Sequence, residues 1–393
     1  MDRFGQESFE EMVGSTGSPL DHLRRRVDHR LRRLGQSVWK RLPFLLPCRG
    51  PLSGLDAGMK VSIHALSHDP LLIYTSIGGE RPLGSMAALG RRLASRRVAF
   101  LLMPSWTLER PHVITRLGRD LAWYRDRFPL HELIFLCNTE EERQLVTGVG
   151  GVAIFSNHNL MISEDIFRPL PGVEVAFDAV YNGRISHVKR HYLAFDIEKL
   201  VHIAVAVGEL PPAGDRAFIR RLQAQSPRHR IANPIVNGLT TRLAPQEVNH
   251  VYNQAAVGLC LSAVEGAMYS SMEYLLAGLP IVSTPSLGGR DVFFDPDYCI
   301  IAEPEPAAIR RAVERLRDRA IPREEIRGRT LEKVRAGRLE LMAYLSALKH
   351  RLGGPEVPLD EWPFPHTGTL IRGATLREHA SGIAAFNTVR PNP

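Results

Sequence analysis

Short apolar runs alternate with segments whose apolar residues recur every three or four positions, from residue 60 to about residue 320. The runs have the length of buried strands, and the segments between them have the period of amphipathic helices. In the first half, the predicted strands are 60–65, 71–76, 98–103, 132–137 and 152–155, and the predicted helices are 83–95, 112–127 and 139–146. After a Pro-containing stretch, the predicted strands are 176–181, 201–207, 228–232, 257–262, 281–283 and 298–302.

This alternation predicts an α/β protein, because strands that alternate with helices form parallel sheets covered on both faces. The Pro-containing break at 167–172 predicts two Rossmann-like, doubly wound domains that face a cleft. Ligands of such sheets bind beyond the carboxyl ends of the strands. The predicted organisation is a disordered start and basic segment at 1–50, an N-terminal domain at 51–172, a C-terminal domain at 173–330, and a helix with an irregular tail at 331–393.

The positive charge is concentrated near the start of the chain. The formal net charge is +8, yet residues 20–50 hold nine Arg and Lys and only two Asp, so the rest is nearly neutral. Because the residues outside 20–50 are nearly neutral in sum, the sequence does not predict nucleic-acid binding. In the basic segment an apolar stripe recurs with helical period, at Leu20, Leu23, Val27, Leu31, Leu34, Val38 and Leu42. Such a helix can lie on an anionic membrane, or it can dock its stripe on the body or a partner; the pattern leaves both open.

The expected location is the cytoplasm, peripheral to the inner face of the membrane if the basic segment binds lipid. No apolar run approaches the roughly 18–20 residues of a membrane-spanning helix, and the start lacks the pattern of a signal peptide. Cys137, Cys260 and Cys299 lie inside apolar runs, which predicts buried thiols in a reducing compartment.

Two glutamates follow the strand predicted at 257–262. Glu265 ends a turn, and Glu273 lies about two turns into the next predicted helix. If all the steps between them were helical, they would be about 12 Å apart along the axis, beyond the roughly 5–9.5 Å of a glycoside hydrolase pair. They suit opposite ends of an extended ligand, with helix-start N–H groups around 268–271 binding a diphosphate. The alternative is a helix cap and a solvated glutamate.

Two cations follow the strand predicted at 176–181. Arg184 comes directly after Gly183, and Lys189 lies five positions further on. Arg supplies a planar fork and Lys a point charge, a combination that suits a pair of phosphates. A solvated basic turn is the alternative, and it is favoured when the turn is considered alone.

Taken together, these residues resemble glycosyltransferase family 4, whose members have the two-domain GT-B fold. The family has a Gly-Arg-x4-Lys loop after the first strand of its C-terminal domain and a later Glu-x7-Glu motif. Gly183-Arg184 with Lys189, and Glu265 with Glu273, match both spacings in the right order. The segments 243–262, 277–280 and 288–289 are also similar, so the resemblance covers about residues 175–320. Many members return their C-terminal helix to the first domain, a place that 332–351 would take here.

The resemblance implies a role for each matched position. Arg184 and Lys189 would neutralise the donor diphosphate as it departs. Glu265 would contact the donor sugar, and Glu273 would bind the ribose hydroxyls. The backbone that binds sugar and phosphate would be Gly266, Ala267, Met268, Tyr269 and Ser270. Members retain the anomeric configuration and need neither metal nor another cofactor beyond the nucleotide-sugar co-substrate.

The sequence departs from the family at several positions. Ala267 and Met268 replace the usual Phe-Gly, so that a Met268 side chain would crowd the donor phosphates, and Arg190 replaces a common Gly. The His that many members carry after an N-terminal strand has no counterpart, because Pro104-Ser105-Trp106 follows that strand. Gly78 and Gly79 would approach the donor phosphates, or they form a plain turn. Asp295-Pro-Asp297 imitates a metal-binding Asp-x-Asp, but Asp-Pro is common turn chemistry, and no metal is expected.

The sequence thus predicts a retaining glycosyltransferase that moves a sugar from a nucleotide-sugar to a glycan or lipid-linked acceptor in surface polysaccharide or glycoconjugate synthesis. A non-catalytic GT-B scaffold that binds a membrane or a partner is the alternative, kept open by Met268 and the missing His. A sugar-nucleotide epimerase of the same architecture is disfavoured, because that class lacks both paired spacings.

Overall fold

The structure is a computed structural model that describes residues 60–61, 63–78, 81–206, 212–224, 228–364 and 374–375. The predicted basic segment at 20–50 lies outside these residues. The chain divides into two units. The C-terminal unit is Ile162–Arg335, and the N-terminal unit holds the described residues up to Met161 together with those from Ala336 onward. The predicted divisions were at 172 and 330.

The N-terminal unit is built around a five-stranded sheet. Its strands and helices in chain order are β1 Lys60–Val61, β2 His64–His68, β3 Leu71–Ile77, α1 Met86–Arg92, β4 Val98–Pro104, α2 Pro111–Arg127, β5 His131–Cys137, α3 Glu140–Gly148 and β6 Val152–Phe155. The sheet order is β2-β3-β4-β5-β6, with β2 antiparallel and the other strands parallel. Strands β3 and β4 are buried along nearly their whole length because both of their faces are covered.

The C-terminal unit is built around a six-stranded parallel sheet. Its elements are β7 Phe177–Asn182, β8 Leu200–Ile203, α4 Pro212–Gln223, β9 His229–Ile231, β10 Ile235–Val236, β11 Leu239–Thr240, α5 Pro245–Asn253, β12 Ala255–Cys260, α6 Tyr269–Leu276, β13 Ile281–Ser283, β14 Cys299–Ile301 and α7 Pro306–Arg319. The sheet order is β14-β13-β12-β7-β8-β9. The chain therefore proceeds outward from β7 to β9 and then returns to β12 beside β7, which is the strand order of a doubly wound dinucleotide-binding fold.

The long helix α8, Arg323–Arg351, closes the core of the N-terminal unit. Its residues Leu341, Met342, Leu345 and Leu348 join the buried cluster on one face of the sheet, which includes Leu72 and Leu101. The opposite face, including Ile73 and Phe100, packs in a second cluster with residues of α1, α2 and α3. The residues of this helix from Ala336 onward belong to the N-terminal unit, whereas 332–335 belong to the C-terminal unit. A last strand, β15 Ala374–Thr375, pairs antiparallel with β1.

The predicted α/β class with two Rossmann-like units is confirmed, and the predicted strands are found within a few residues of their places. The segment predicted as one strand at 60–65 is divided between β1 and β2. The hairpin β10–β11 was not predicted; Asn237 and Gly238 form its turn, both with positive φ. Cys137, Cys260 and Cys299 are buried free thiols, as predicted. Among the described helices, none has the length and hydropathy to cross a membrane.

Candidate active site

The topological switch of the C-terminal unit lies between β7 and β12, which are neighbours in the sheet although the chain visits β8 and β9 between them. Their carboxyl ends are Asn182 and Cys260. The loop 183–190 follows the first strand, and the loop 261–268 follows the second. Open parallel sheets bind their ligands at such a point. The fold therefore brings the Gly-Arg-x4-Lys and Glu-x7-Glu segments to one edge of one sheet.

Lys189 and Glu265 form a buried ion pair across this switch point. The ammonium of Lys189 and the hydroxyl of Ser262 both donate to Oε1 of Glu265. Burial raises the pKa of Glu265, but the Lys189 ammonium, the Ser262 hydroxyl and the Arg290 guanidinium together hold the pKa below its usual value. An ammonium carries three donors, so Lys189 can bind another anion as well. Oε2 of Glu265 has no protein donor among the described residues, which leaves it for a ligand hydroxyl.

The backbone of the Arg184 turn is fixed at both of its ends. The buried ring of His191 donates from Nε2 to the Arg184 carbonyl at 3.1 Å, and the hydroxyl of Tyr181 donates to the Lys189 carbonyl. Burial lowers the pKa of His191 to about 4, so its ring is neutral near pH 7. The Gly183 N–H donates to Ile203 at the end of β8, at 3.0 Å. Arg184 and Lys189 are thus presented by a rigid turn, Arg184 partly buried and Lys189 buried.

Glu273 belongs to a different hydrogen-bond network. Its Oε2 accepts from the hydroxyl of Tyr252 at 2.5 Å, and the residue is only 6 % exposed. Burial raises the pKa of Glu273 to about 7, and the Tyr252 hydrogen bond offsets part of this rise. Its Oε1 has no donor within the described part of the chain. The arrangement can accept hydroxyl donors from a ligand.

The two glutamates do not lie on one helix, because α6 begins at Tyr269 and residues 265–268 form a loop. The N–H of Glu265 donates to Leu287 at 3.0 Å, which anchors this loop. The Ser271 N–H donates to the carbonyl of Met268 at 3.0 Å, so Ser271 is not one of the predicted anion-binding N–H groups. The hydroxyl of Ser270 donates to the Asn182 carbonyl at 3.4 Å and joins the start of α6 to the end of β7. Gly266 and Ala267 are buried.

Two buried arginines hold the loop that carries Glu265. Arg190 donates to the Leu261 carbonyl and to the Thr284 hydroxyl, both at 2.6 Å. Arg290, fully buried, donates to the carbonyl groups of Cys260 and Ser262 at 3.1 and 2.7 Å. Three successive carbonyl groups, from the last residue of β12 onward, are therefore bound by guanidinium groups.

From the sequence, Arg190 was identified only as a departure from Gly, and no role was predicted for Arg290. The φ angle of Arg190 is +46°, in the left-handed region where Gly is least strained. No spacing rule in the sequence points to Arg290; the adjacent Gly288-Gly289 was the one nearby signal.

Met268, the second departure, also has a left-handed backbone, with φ of +54°, at the N-terminal boundary of α6. Gly is the residue least strained in this conformation, so Met268 carries backbone strain. Its side chain is buried, at 6 % exposure.

Met268→Gly is expected to unfold with a free energy about 1 kcal/mol higher than Met268→Ala, because both variants lose the buried side chain and only Ala keeps the left-handed strain. At ordinary positions the order is reversed, and a Gly variant is less stable than the corresponding Ala variant. Urea unfolding of the two variants measures the difference. An Ala variant as stable as the Gly variant would show that this backbone is not strained.

Gly78 lies at the end of β3 in the N-terminal unit, and Gly79 lies outside the described residues. A Cβ added at Gly78 would collide with the hydroxyl of Ser105, which donates to the Ile77 carbonyl at 3.0 Å. Close packing against Ser105 accounts for this glycine. The predicted approach of Gly78 and Gly79 to donor phosphates stays a prediction.

The carboxylates of Asp295 and Asp297 are engaged by cations of α8. Arg329 donates to Asp295 at 2.6 Å and to Asp297 at 2.9 Å, and Lys333 lies 3.3 Å from Asp295. The Asp-Pro-Asp segment is therefore an ion-pair cluster that joins α8 to the turn before β14. Within the residues that the structure describes, no group of three or more His, Cys, Asp and Glu has a metal-binding arrangement.

Comparison with known proteins finds similarity in structure alone. No family model matches the sequence, and no curated protein is similar to it. HepE of Anabaena, solved in complex with UDP, is 14% identical over 66% of this chain and 78% of its own, with a TM-score of 0.41. Sucrose-phosphate synthase of Thermosynechococcus elongatus is 12% identical over 75% and 97%, also at 0.41. The lipopolysaccharide outer core galactosyltransferase WaaB is 18% identical over 63% and 67%, again at 0.41. The similarity concerns the fold.

Proposed function

We propose that the chain is a retaining glycosyltransferase that takes a sugar from a nucleotide-sugar bound at the β7–β12 switch point. The observation that carries this proposal is the Lys189–Glu265 pair, placed with Glu273 at the carboxyl edge of a doubly wound sheet. In this proposal Lys189 binds the diphosphate, Glu265 binds the donor sugar, and the separate carboxylate of Glu273 binds the ribose. The acceptor is proposed to be a glycan or a lipid-linked glycan of surface polysaccharide synthesis, and the basic segment 20–50 is proposed to bind an anionic membrane.

The proposed division of labour follows the chemistry of each group. Negative charge grows on the diphosphate oxygens as the glycosidic bond breaks, so Arg184 and the unused donors of Lys189 stabilise the leaving group. Oε2 of Glu265 accepts a hydroxyl of the donor sugar. Glu273 accepts one hydrogen bond, from the neutral hydroxyl of Tyr252. A buried carboxylate requires further hydrogen-bond donors, and the two hydroxyls of a ribose supply them. The first turn of α6 adds N–H groups toward the phosphates.

A non-catalytic scaffold remains the second candidate, favoured by the strained, buried Met268 at the start of α6. The experiment that separates the two is turnover. A panel of nucleotide-sugars is incubated with the protein, with and without lipid-linked acceptors, and the released nucleoside diphosphate is quantified. The enzyme proposal requires release from one donor, whereas a scaffold binds without release.

Sugar transfer is expected to survive excess EDTA with less than about a twofold loss of rate. The charge of the departing diphosphate is assigned to Arg184 and Lys189, and Asp295 and Asp297 are paired with Arg329 and Lys333. The assay compares the initial rates of a dialysed sample with and without EDTA. Loss of activity with recovery on adding Mn²⁺ would require a metal site that this assignment does not include.

Nucleotide affinity is expected to fall on acidification through pH 7. The pKa of free Glu273 is raised to about 7, and ribose hydroxyls donate best to the ionised carboxylate, so binding lowers this pKa and releases a proton. Below the free pKa, the association constant declines by up to about tenfold per pH unit until the bound pKa is reached. Isothermal titration calorimetry from pH 5.5 to 9, in buffers of different ionisation enthalpy, measures both effects. Affinity that is flat across this range would exclude Glu273 as the ribose ligand.

A further inference from the structure

The carboxylate of Glu273 is held by one side chain, which is itself held by the strand that leads into the Arg184 turn. Tyr252 donates to Oε2 of Glu273 at 2.5 Å, and Nδ2 of Asn182 donates to the Tyr252 hydroxyl at 2.5 Å. Asn182 is the last residue of β7 and directly precedes Gly183 and Arg184. Three residues from α6, α5 and β7 thus form a continuous hydrogen-bonded chain from one predicted motif to the other.

The geometry leaves the Tyr252 hydroxyl little freedom. Tyr252 is fully buried, and its ring packs edge-on against Tyr274, with centroids 4.7 Å apart and planes at 67°. Because the amide of Asn182 donates to the phenol oxygen, the single phenol proton is directed to Glu273. Burial raises the pKa of Tyr252 well above its usual value, so this proton stays in place at all relevant pH.

We propose that Tyr252 is a positioning residue of the nucleotide site: the Asn182–Tyr252–Glu273 relay orients the Glu273 carboxylate for the ribose hydroxyls and keeps it in register with the Arg184 turn. The relay rests on the proposed function, because it acts through Glu273. The role of Tyr252 can be measured, because its hydrogen bond stabilises the ionised carboxylate of Glu273 more than the protonated acid.

Among the described groups around Glu273, the Tyr252 hydroxyl is the one that lowers the pKa of its carboxyl group. The ionisable groups that interact with its carboxylate are Tyr252 from α5, and Tyr269 and Tyr274 from α6 itself. In the described part of the chain, none of the groups that set its pKa is a cation, and the Tyr252 hydroxyl is the group that lowers it. Removing that hydroxyl therefore raises the pKa of Glu273 further, and the pH at which nucleotide binding is half lost moves upward.

The test titrates the protein with UDP, GDP and ADP and then measures the affinity for the one that the wild-type protein binds, by calorimetry from pH 5.5 to 9. Tyr252→Phe is compared with Tyr274→Phe, a matched control that makes the same change in the neighbouring ring. The Tyr274 hydroxyl accepts from the Asn182 N–H at 2.7 Å, and no hydrogen bond joins it to Glu273.

Tyr252→Phe is expected to bind about fivefold more weakly at pH 7, to move the midpoint upward by about one pH unit, and to approach wild-type affinity at pH 9. Tyr274→Phe is expected to keep the wild-type midpoint. In a Glu273→Gln background, Tyr252→Phe should have no pH-dependent effect. A merely structural role would weaken binding equally at every pH.

Wild-type binding combined with an unmoved midpoint in Tyr252→Phe would overturn the relay alone. Failure of the wild-type protein to bind any nucleoside diphosphate would overturn the proposed function, and the relay with it. Thermal melting establishes that each variant is folded. If Tyr252→Phe is not, Asn182→Ala removes the preceding member of the chain and should move the midpoint in the same direction by a smaller amount.

Discussion

Lys189→Met is expected to lower kcat for sugar transfer by about 10²–10³-fold, the scale on which a single preorganised charge-stabilising group acts. Lys189 faces Glu265 at the switch point and retains donors for the diphosphate, whose negative charge grows as the glycosidic bond breaks. Groups aimed at developing charge matter more in the transition state than in the ground state, so donor affinity should change less than kcat. Initial rates over a range of donor concentrations separate the two. Lys199→Met, at an exposed lysine of the same unit, is the matched control.

The same substitution has a cost in stability, which must be separated from catalysis. Without Lys189 the buried carboxylate of Glu265 loses its ion-pair partner, and breaking a buried pair costs about 3–5 kcal/mol. The double variant Lys189→Met with Glu265→Gln removes both charges and should recover most of this stability while staying inactive. A Lys189→Met protein that is folded at the assay temperature and keeps wild-type kcat would refute the assignment of this loop.

Glu273→Gln is expected to weaken nucleotide binding by about 10–100-fold at pH 8, since a hydrogen bond to a charged group is worth about 1.5–3 kcal/mol. The loss should be similar for nucleoside mono- and diphosphates, because the contact is with the ribose. The fold should be kept, because the Gln amide oxygen still accepts from Tyr252. Glu198→Gln, at an exposed glutamate of the same unit, serves as the control. Equal affinity of Glu273→Gln and wild type, with equal melting temperatures, would remove Glu273 from the site.

The fold followed from the sequence because the strands are short apolar runs and the helices between them carry a clear period. Val98–Pro104 and His131–Cys137 were found this way, within a residue at either end. The hairpin β10–β11 was missed because its strands have two residues each, too few to show an alternation. Its Asn237-Gly238 turn was the signal that could have found it.

The candidate site was predictable in part. The two motifs gave Arg184, Lys189, Glu265 and Glu273, but not the ion pair that joins Lys189 to Glu265, since contacts between distant segments depend on strand order. The buried supports were invisible for the same reason. Arg290 and Tyr252 look in sequence like any arginine or aromatic residue, and their roles come from the carbonyl groups and the carboxylate that the fold places beside them.

Calorimetric titration of the full chain with UDP, GDP and ADP at pH 8 tests the central claim most directly. We expect that the wild-type protein binds one of them at a single site, that Glu273→Gln weakens this binding by about 10–100-fold, and that Glu198→Gln leaves it unchanged. No binding of any nucleoside diphosphate by folded wild-type protein, or binding that Glu273→Gln leaves intact, would contradict a nucleotide-sugar site at the β7–β12 switch point.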